Sequence, residues 1–60
     1  SQYTIYLEIA RCYAAQGRFA DAKRHLDKAG YRDLSRFVDD PYFDAMRADP
    51  DFRDLFKRPR

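Results

Sequence analysis

Small and large apolar residues recur at helical spacing on both sides of one glycine, and this pattern limits what the first half of the chain can form. Between residues 3 and 29 they keep one register across the turn Gln16-Gly17-Arg18. The positions in this register are Tyr6, Ile9, Ala10, Tyr13, Gly17, Phe19, Ala22, Leu26 and Ala29. Apolar residues three and four apart share one face of a helix. Since alanine at a crossing point lets two helices approach closely, the pattern predicts an antiparallel helix pair.

A glycine follows each periodic segment and marks where the helix should end. We predict a first helix over 3–15, stopped by Gly17, and a second over 20–28, stopped by Gly30. Glycine readily adopts the left-handed backbone conformation that is common just past a helix end. The chain from 1 to 30 is therefore expected to form one helix-turn-helix unit.

Two Asp-Pro elements, at 40–47 and 49–56, dominate the second half. In each, an aromatic residue follows three positions after the aspartate, and methionine or leucine follows three later. The aspartate side chain can cap free backbone N–H groups, and proline at the first helical position loses no hydrogen bond. Asp33 can cap another short helix. The apolar positions of that helix are Leu34, Phe37 and Val38. The expected fold is all-α, with two or three short helices over 31–60 folded back on the hairpin.

Size and charge restrict the class of protein. The chain has 60 residues, one cysteine and one histidine, so neither an internal disulfide nor a four-ligand zinc site can supplement a small core. The 12 basic and 10 acidic residues are interleaved and leave a net charge of +2, which is typical of a mixed-sign solvated surface. No apolar run approaches the roughly 18 residues of a membrane span. The basic end Lys57-Arg58-Pro59-Arg60 is expected to be a solvated terminus.

The residues with reactive side chains do not form a catalytic pattern, and we expect no enzyme activity and no cofactor. Cys12 is interpreted as a small apolar filler, and His25 as a surface residue. Six aspartates in the second half suggest a calcium-binding site: Asp39, Asp40, Asp44, Asp49, Asp51 and Asp54. Counted from Asp49, however, the sixth and twelfth places lack the glycine and glutamate of an EF-hand loop, so no metal site is expected. The aromatic residues expected to pack in the core are Tyr31, Phe37, Phe43, Phe52 and Phe56.

The hairpin register, with alanine at both small positions, resembles a tetratricopeptide repeat (TPR). The second half is similar to the tail that ends many bacterial TPR arrays. The segments that carry this second likeness are Gly30 to Asp33, Asp40 to Phe43 and Asp49 to Phe52. Leu34 stands where the family often has a proline that leads into another repeat. The resemblance implies a last repeat followed by its cap, and we expect the chain to be a piece of a longer protein.

The resemblance also implies a protein–protein interaction module with two candidate surfaces on the first helix. The residues that would stack on a preceding repeat are Tyr3, Tyr6, Leu7 and Ala10. The residues that would line a peptide-binding groove are Thr4, Leu7, Glu8, Arg11, Ala14 and Ala15. Arg11 is the only cation among the latter and the chain has no asparagine, so a hydrophobic or mixed groove is favoured over a clamp for a peptide carboxylate. The alternative is that Leu7 and Arg11 serve only packing between repeats.

Three other interpretations stay open at this point. The chain could be a small accessory subunit stably docked in a larger complex, or it could associate with itself through the first helix. A weak, arginine-mediated nucleic-acid binder is the third, although net +2 predicts only salt-sensitive contacts and no specific nucleic acid is expected. The sequence leaves the compartment open, with the cytoplasm slightly favoured.

Overall fold

A computed structural model describes residues 1–58 as an all-α fold, and no strand occurs in that range. Three α-helices and three short 3₁₀ helices follow one another along the chain. Their bounds are α1 Gln2–Ala15, α2 Phe19–Lys28, η1 Ser35–Phe37, η2 Pro41–Phe43, α3 Asp44–Ala48 and η3 Arg53–Phe56, where η denotes a 3₁₀ helix. The last two residues of the expected cap and basic tail, Pro59 and Arg60, lie outside the described residues. None of the described helices has the length and apolarity needed to cross a membrane.

The helix hairpin has the predicted ends. Gly17 and Gly30 have φ angles of +81° and +89°, in the left-handed region that favours glycine. The Ser1 hydroxyl accepts a hydrogen bond from the Thr4 amide at 3.4 Å and so caps the start of α1. The second helix begins at Phe19, one residue earlier than the sequence predicts.

The alanines that the spacing assigns to the helix crossing are all buried. Ala10 and Ala14 of α1 and Ala22 of α2 are all 0% exposed. Leu26 of α2 is also fully buried and is one of the largest side chains in the core. Because interiors pack at the density of organic crystals, the short alanine side chains allow the two helices to lie close together, and Leu26 fills the space beside them.

Of the aspartates predicted to cap the short helices, Asp40 caps η2, whereas Asp33 and Asp49 are corrections: they close turns ahead of η1 and η3, which begin after Leu34 and Phe52 without a side-chain cap. The Asp40 carboxylate accepts from the Tyr42 amide at 2.9 Å, and Pro41 is the first residue of η2, which continues directly into α3. The Asp49 carboxylate accepts from the Asp51 amide at 2.8 Å. The Asp33 carboxylate accepts from the Ser35 amide at 3.0 Å ahead of η1. Each aspartate thus closes a local turn through its own side chain.

Aromatic rings pack against one another inside the cap, and the Phe19 and Phe52 rings, with centroids 5.8 Å apart, join the cap to α2. The ring centroids of Phe37 and Phe43 are 5.4 Å apart, and those of Phe43 and Phe56 are 6.0 Å apart. All three side chains are buried, whereas Tyr31 and Phe52 pack against the core while partly exposed. The prediction that these five aromatic residues pack internally is confirmed.

Val38 is a correction, because its side chain is 40% exposed although the sequence suggested an inward position. The helix after Asp33 is a 3₁₀ helix with three residues per turn. Leu34 and Phe37 therefore share the buried side, and the next residue turns away from it.

Helix α1 lies between two layers of the molecule. One layer is α2, and the other is formed by η2 and α3, which both contact α1. The Arg47 side chain strengthens the second layer, since Nη1 donates to the carbonyl oxygens of Phe37 and Asp40 at 3.0 and 2.8 Å. The Leu34 amide also donates to the carbonyl oxygen of Leu55 at 3.0 Å. This arrangement decides which sides of α1 are covered and which side is accessible.

Candidate protein-binding surfaces

One side of α1 is covered by neither layer, and we call it the open face (Ile5, Ile9 and Cys12). These residues are four and three positions apart, so they share one side of the helix. Ile5 is 59% exposed, Ile9 is half-buried and Cys12 is exposed. The inward side of the same helix carries Ala10 and Ala14. A helix with apolar residues on an uncovered side presents a surface suited to another protein element.

Aromatic and basic residues border the open face along the seam between α1 and α2. The His25 ring lies between Tyr6 and Tyr13, with centroid distances of 6.3 and 5.1 Å. The Arg18 guanidinium carbon lies 4.5 Å from the centre of the Tyr13 ring, and the Lys28 Nζ lies 5.7 Å from that of Tyr6. Cations at these distances are attracted by the ring faces, so the seam is both aromatic and positively charged.

His25 is more enclosed than the sequence suggested. Its Nδ1 lies 2.9 Å from the carbonyl oxygen of Asp21, and because a carbonyl oxygen can only accept, Nδ1 is the donor. The ring is half-buried and acts as packing within the seam rather than as a free surface group.

The residues expected to stack on a preceding repeat divide into two pairs. Tyr3 is 58% exposed and Tyr6 is half-buried, so both are accessible. Leu7 packs against the core, and Ala10 is fully buried. Ala10 is a correction, because its place at the crossing with α2 leaves no surface for another repeat.

The residues expected to line a groove also separate by position. Thr4, Glu8 and Ala15 are exposed, Leu7 and Arg11 are partly covered, and Ala14 is 0% exposed. Ala14 is therefore a correction, since it too belongs to the crossing with α2 and cannot reach a ligand. A binding role for the other five positions stays a prediction.

Arg11 links α1 to the first Asp-Pro element. Its Nε donates to the Asp40 carboxylate at 2.9 Å, and its Nη1 donates to Glu8 at 2.6 Å. The pKa of the Arg11 guanidinium is raised, mainly by the hydrogen bond to Asp40 and in spite of partial desolvation. The group therefore stays charged throughout the neutral range, and two of its donor groups are used inside the chain.

A shallow pocket lies beside Ala15, between the end of α1 and the first Asp-Pro element. Its volume is about 350 Å³ and its lining residues are Ala15, Pro41, Tyr42, Asp44 and Ala45. Tyr42 is 56% exposed. Of the residues that line this pocket, the sequence pattern pointed only to Ala15. The aromatic residue that recurs in both Asp-Pro elements is at the position of Phe43, and the exposed Tyr42 is not part of that repeat.

The sequence interpretation missed Ile5 and misplaced Cys12. Cys12 is exposed on the open face and is not the buried filler that was expected. Its spacing from Ile5 and Ile9 was visible in the sequence and could have revealed a second apolar side of α1. Within residues 1–58, no three histidine, cysteine or acidic side chains come together in a way that could hold a metal ion.

No protein-family model, curated protein or solved structure matches this chain.

Proposed function

We propose that the chain is a protein–protein interaction module, the C-terminal repeat and cap of a TPR-type scaffold. The observation that carries this proposal is Ile5, a large aliphatic side chain that is 59% exposed on the uncovered side of a helix packed on two others. In stacked repeats each unit packs on its neighbours, and the terminal unit differs from the others. In this chain one side of α1 is uncovered and another side is covered by the short helices η2 and α3. This arrangement fits such an end unit.

The composition of the open face supports a helical neighbour. It combines Ile5 and Ile9 with the aromatic seam of Tyr6 and Tyr13, and aromatic residues are enriched at the cores of protein interfaces. Burial of about 100 Å² of apolar surface contributes roughly 2.5 kcal/mol, so covering even two of these side chains would help a chain of this size. A preceding repeat is the neighbour that the TPR-type proposal supplies.

The test is to fuse two consensus TPR units ahead of Ser1 in the register of the repeat, with a turn before α1 so that the added units stack on it, and to follow thermal unfolding by circular dichroism. We expect one cooperative transition, because the added units cover the open face. In the fusion, Ile5→Glu should separate the transitions of the chain and the added units, since it places a charge in the new interface.

Val38→Glu is the matched control, because it places the same charge at an exposed apolar residue outside the open face. The control fusion should unfold as a single unit. Two independent transitions in the unmodified fusion, or the same effect from both glutamate variants, would contradict the proposal.

The accessory-subunit alternative uses the same open face but requires a separate chain as its partner. It predicts independent transitions in the fusion together with a 60-residue chain that is ordered only in its complex. Nucleic-acid binding has less support, since Arg11, Arg18, Arg24 and Arg47 all take part in ion pairs within the chain.

A further inference from the structure

The pocket beside Ala15 combines a carboxylate, an exposed ring and small apolar side chains. Asp44 has a side chain that is 69% exposed, and its ion pair with Arg47 uses only Oδ1. The Tyr42 ring stands at the same pocket, with Ala45 on the next turn of α3. None of the cations in residues 1–58 lies over the Tyr42 ring, whereas Tyr6, Tyr13 and Tyr31 each carry one.

The chain already binds one of its own arginines with this pair of groups. Arg18 lies over the Tyr13 ring at 4.5 Å, and its Nε donates to Asp21 at 3.0 Å. Asp21 also accepts from Arg24 through its other oxygen, so one aspartate here serves two arginines. Tyr42 and Asp44 offer the same two groups, a ring and a carboxylate. Asp44 already pairs with Arg47, but one carboxylate can accept from two arginines, as Asp21 does.

The charges around the pocket also favour a cation. Asp44 is the one charged residue among those that line the pocket, and no basic residue within 1–58 lines it. The lining therefore carries a formal charge of −1, although the whole chain is +2. Fields of this sign attract cationic ligands and repel anionic ones.

We propose that the pocket of Ala15, Tyr42, Asp44 and Ala45 binds an arginine side chain of a partner peptide. The aliphatic stem packs on Ala15 and Ala45, the guanidinium plane stacks on Tyr42, and its N–H groups donate to Asp44. Arginine fits better than lysine because its planar group can stack and bond to a carboxylate together. This inference goes beyond the proposed function, since it concerns a different surface from the open face.

The experiment is a titration of the ¹⁵N-labelled chain with N-acetyl-Ala-Arg-Ala-amide, followed by amide chemical shifts. The comparison peptide carries citrulline, which keeps the shape of arginine but has no charge. We expect saturable shifts at Ala15, Tyr42 and Ala45, with a dissociation constant on the order of 1 mM for so small a ligand. The citrulline peptide should bind at least about five-fold more weakly, because it loses both the ion pair and the cation–π contact.

Two variants and two matched controls test the roles of the side chains. Asp44→Asn and Tyr42→Ala should each weaken binding about three-fold. Asp54→Asn, at an exposed aspartate paired with Lys57, and Tyr3→Ala, at an equally exposed tyrosine, should leave binding unchanged. Unperturbed amide spectra away from the pocket verify that each variant is folded.

The inference is overturned if the two peptides bind equally, if the controls weaken binding as much as the pocket variants, or if no shifts occur. Shifts confined to Ile5, Ile9 and Cys12 would also overturn it, while leaving the proposed function in place. Conversely, pocket binding in a chain whose TPR fusion unfolds in independent steps would support this inference alone.

Discussion

Asp21 is the residue whose charge is most closely tied to its neighbours. It lies in the first turn of α2 and forms ion pairs with Arg18 and Arg24, both at 2.8 Å. These contacts lower the pKa of its carboxyl below the ordinary 3.8; the hydrogen bond from Arg24 contributes most, and partial desolvation opposes the shift. Its position at a helix N-terminus also suits a negative charge.

The lowered pKa of Asp21 predicts a pH-dependent stability. A carboxyl with a depressed pKa in the folded state stabilises the fold above its unfolded pKa, and this stabilisation is lost as the pH falls through the folded pKa. Asp21→Asn should therefore lower the melting temperature at pH 7, and the difference from the unmodified chain should shrink as the pH is lowered from 7 through the folded pKa of Asp21. Thermal unfolding by circular dichroism across this pH range measures the difference.

Asp39→Asn is the control for that series, because Asp39 is an exposed acid outside the ion pairs of residues 1–58. It should leave the melting temperature unchanged at pH 7. Equal melting temperatures for the Asp21→Asn variant and the unmodified chain at pH 7 would show that the two ion pairs do not stabilise α2.

At the scale of elements, aspartate side chains close the turns next to the short helices. A 3₁₀ helix of three or four residues closes few backbone hydrogen bonds. The Asp49 carboxylate accepts from the Asp51 amide and closes the turn between α3 and η3. The stability of this turn should therefore be sensitive to Asp49.

Asp49→Ala should destabilise the chain by about 1 kcal/mol, which is the usual net contribution of one hydrogen bond, here the one that closes the turn ahead of η3. The free energy of unfolding in urea measures the loss, and faster hydrogen exchange at the Asp51 amide would locate it. Asp51→Ala is the matched control, because that side chain is exposed and accepts no hydrogen bond in the described residues. Equal losses from the two variants would indicate a general charge effect instead of a lost hydrogen bond.

The elements could be predicted where their signals are local. Gly17, Gly30 and the turn-closing aspartates act on residues within four positions of themselves, so the sequence displays them directly. The covering of α1 has no such local signal, because the residues that cover it lie far away in the sequence. Arg11 and Asp40 are 29 positions apart, and no spacing rule connects them. The partial covering of Arg11 follows from this long-range packing, whereas the spacing of Ile5, Ile9 and Cys12 could have been read from the sequence.

For the whole molecule, Phe43 belongs to the single core cluster that residues of the cap and the hairpin form together. It is fully buried, and its ring contacts those of Phe37 and Phe56. A domain of this size is stabilised by only a few kcal/mol. The removal of one large buried ring is therefore comparable with its total stability.

Phe43→Ala should cost about 3–5 kcal/mol through lost burial and the cavity left behind, enough to unfold the hairpin together with the cap. Far-ultraviolet circular dichroism measures whether the signal of α1 and α2 disappears as well. Tyr42→Ala, at the exposed neighbouring ring, should preserve the helical signal. A variant at Phe43 that loses the cap but keeps the full hairpin signal would show that the two halves fold independently.

The hydrogen bond from the Leu34 amide to the Leu55 carbonyl joins positions 21 residues apart in the chain. A ribosome adds roughly 5–20 residues per second, so Leu34 is made about one to four seconds before its partner. During that interval the core cannot close, because neither the Leu55 carbonyl nor the buried Phe56 ring has yet been made. Completion of this fold must therefore wait for synthesis of its last elements.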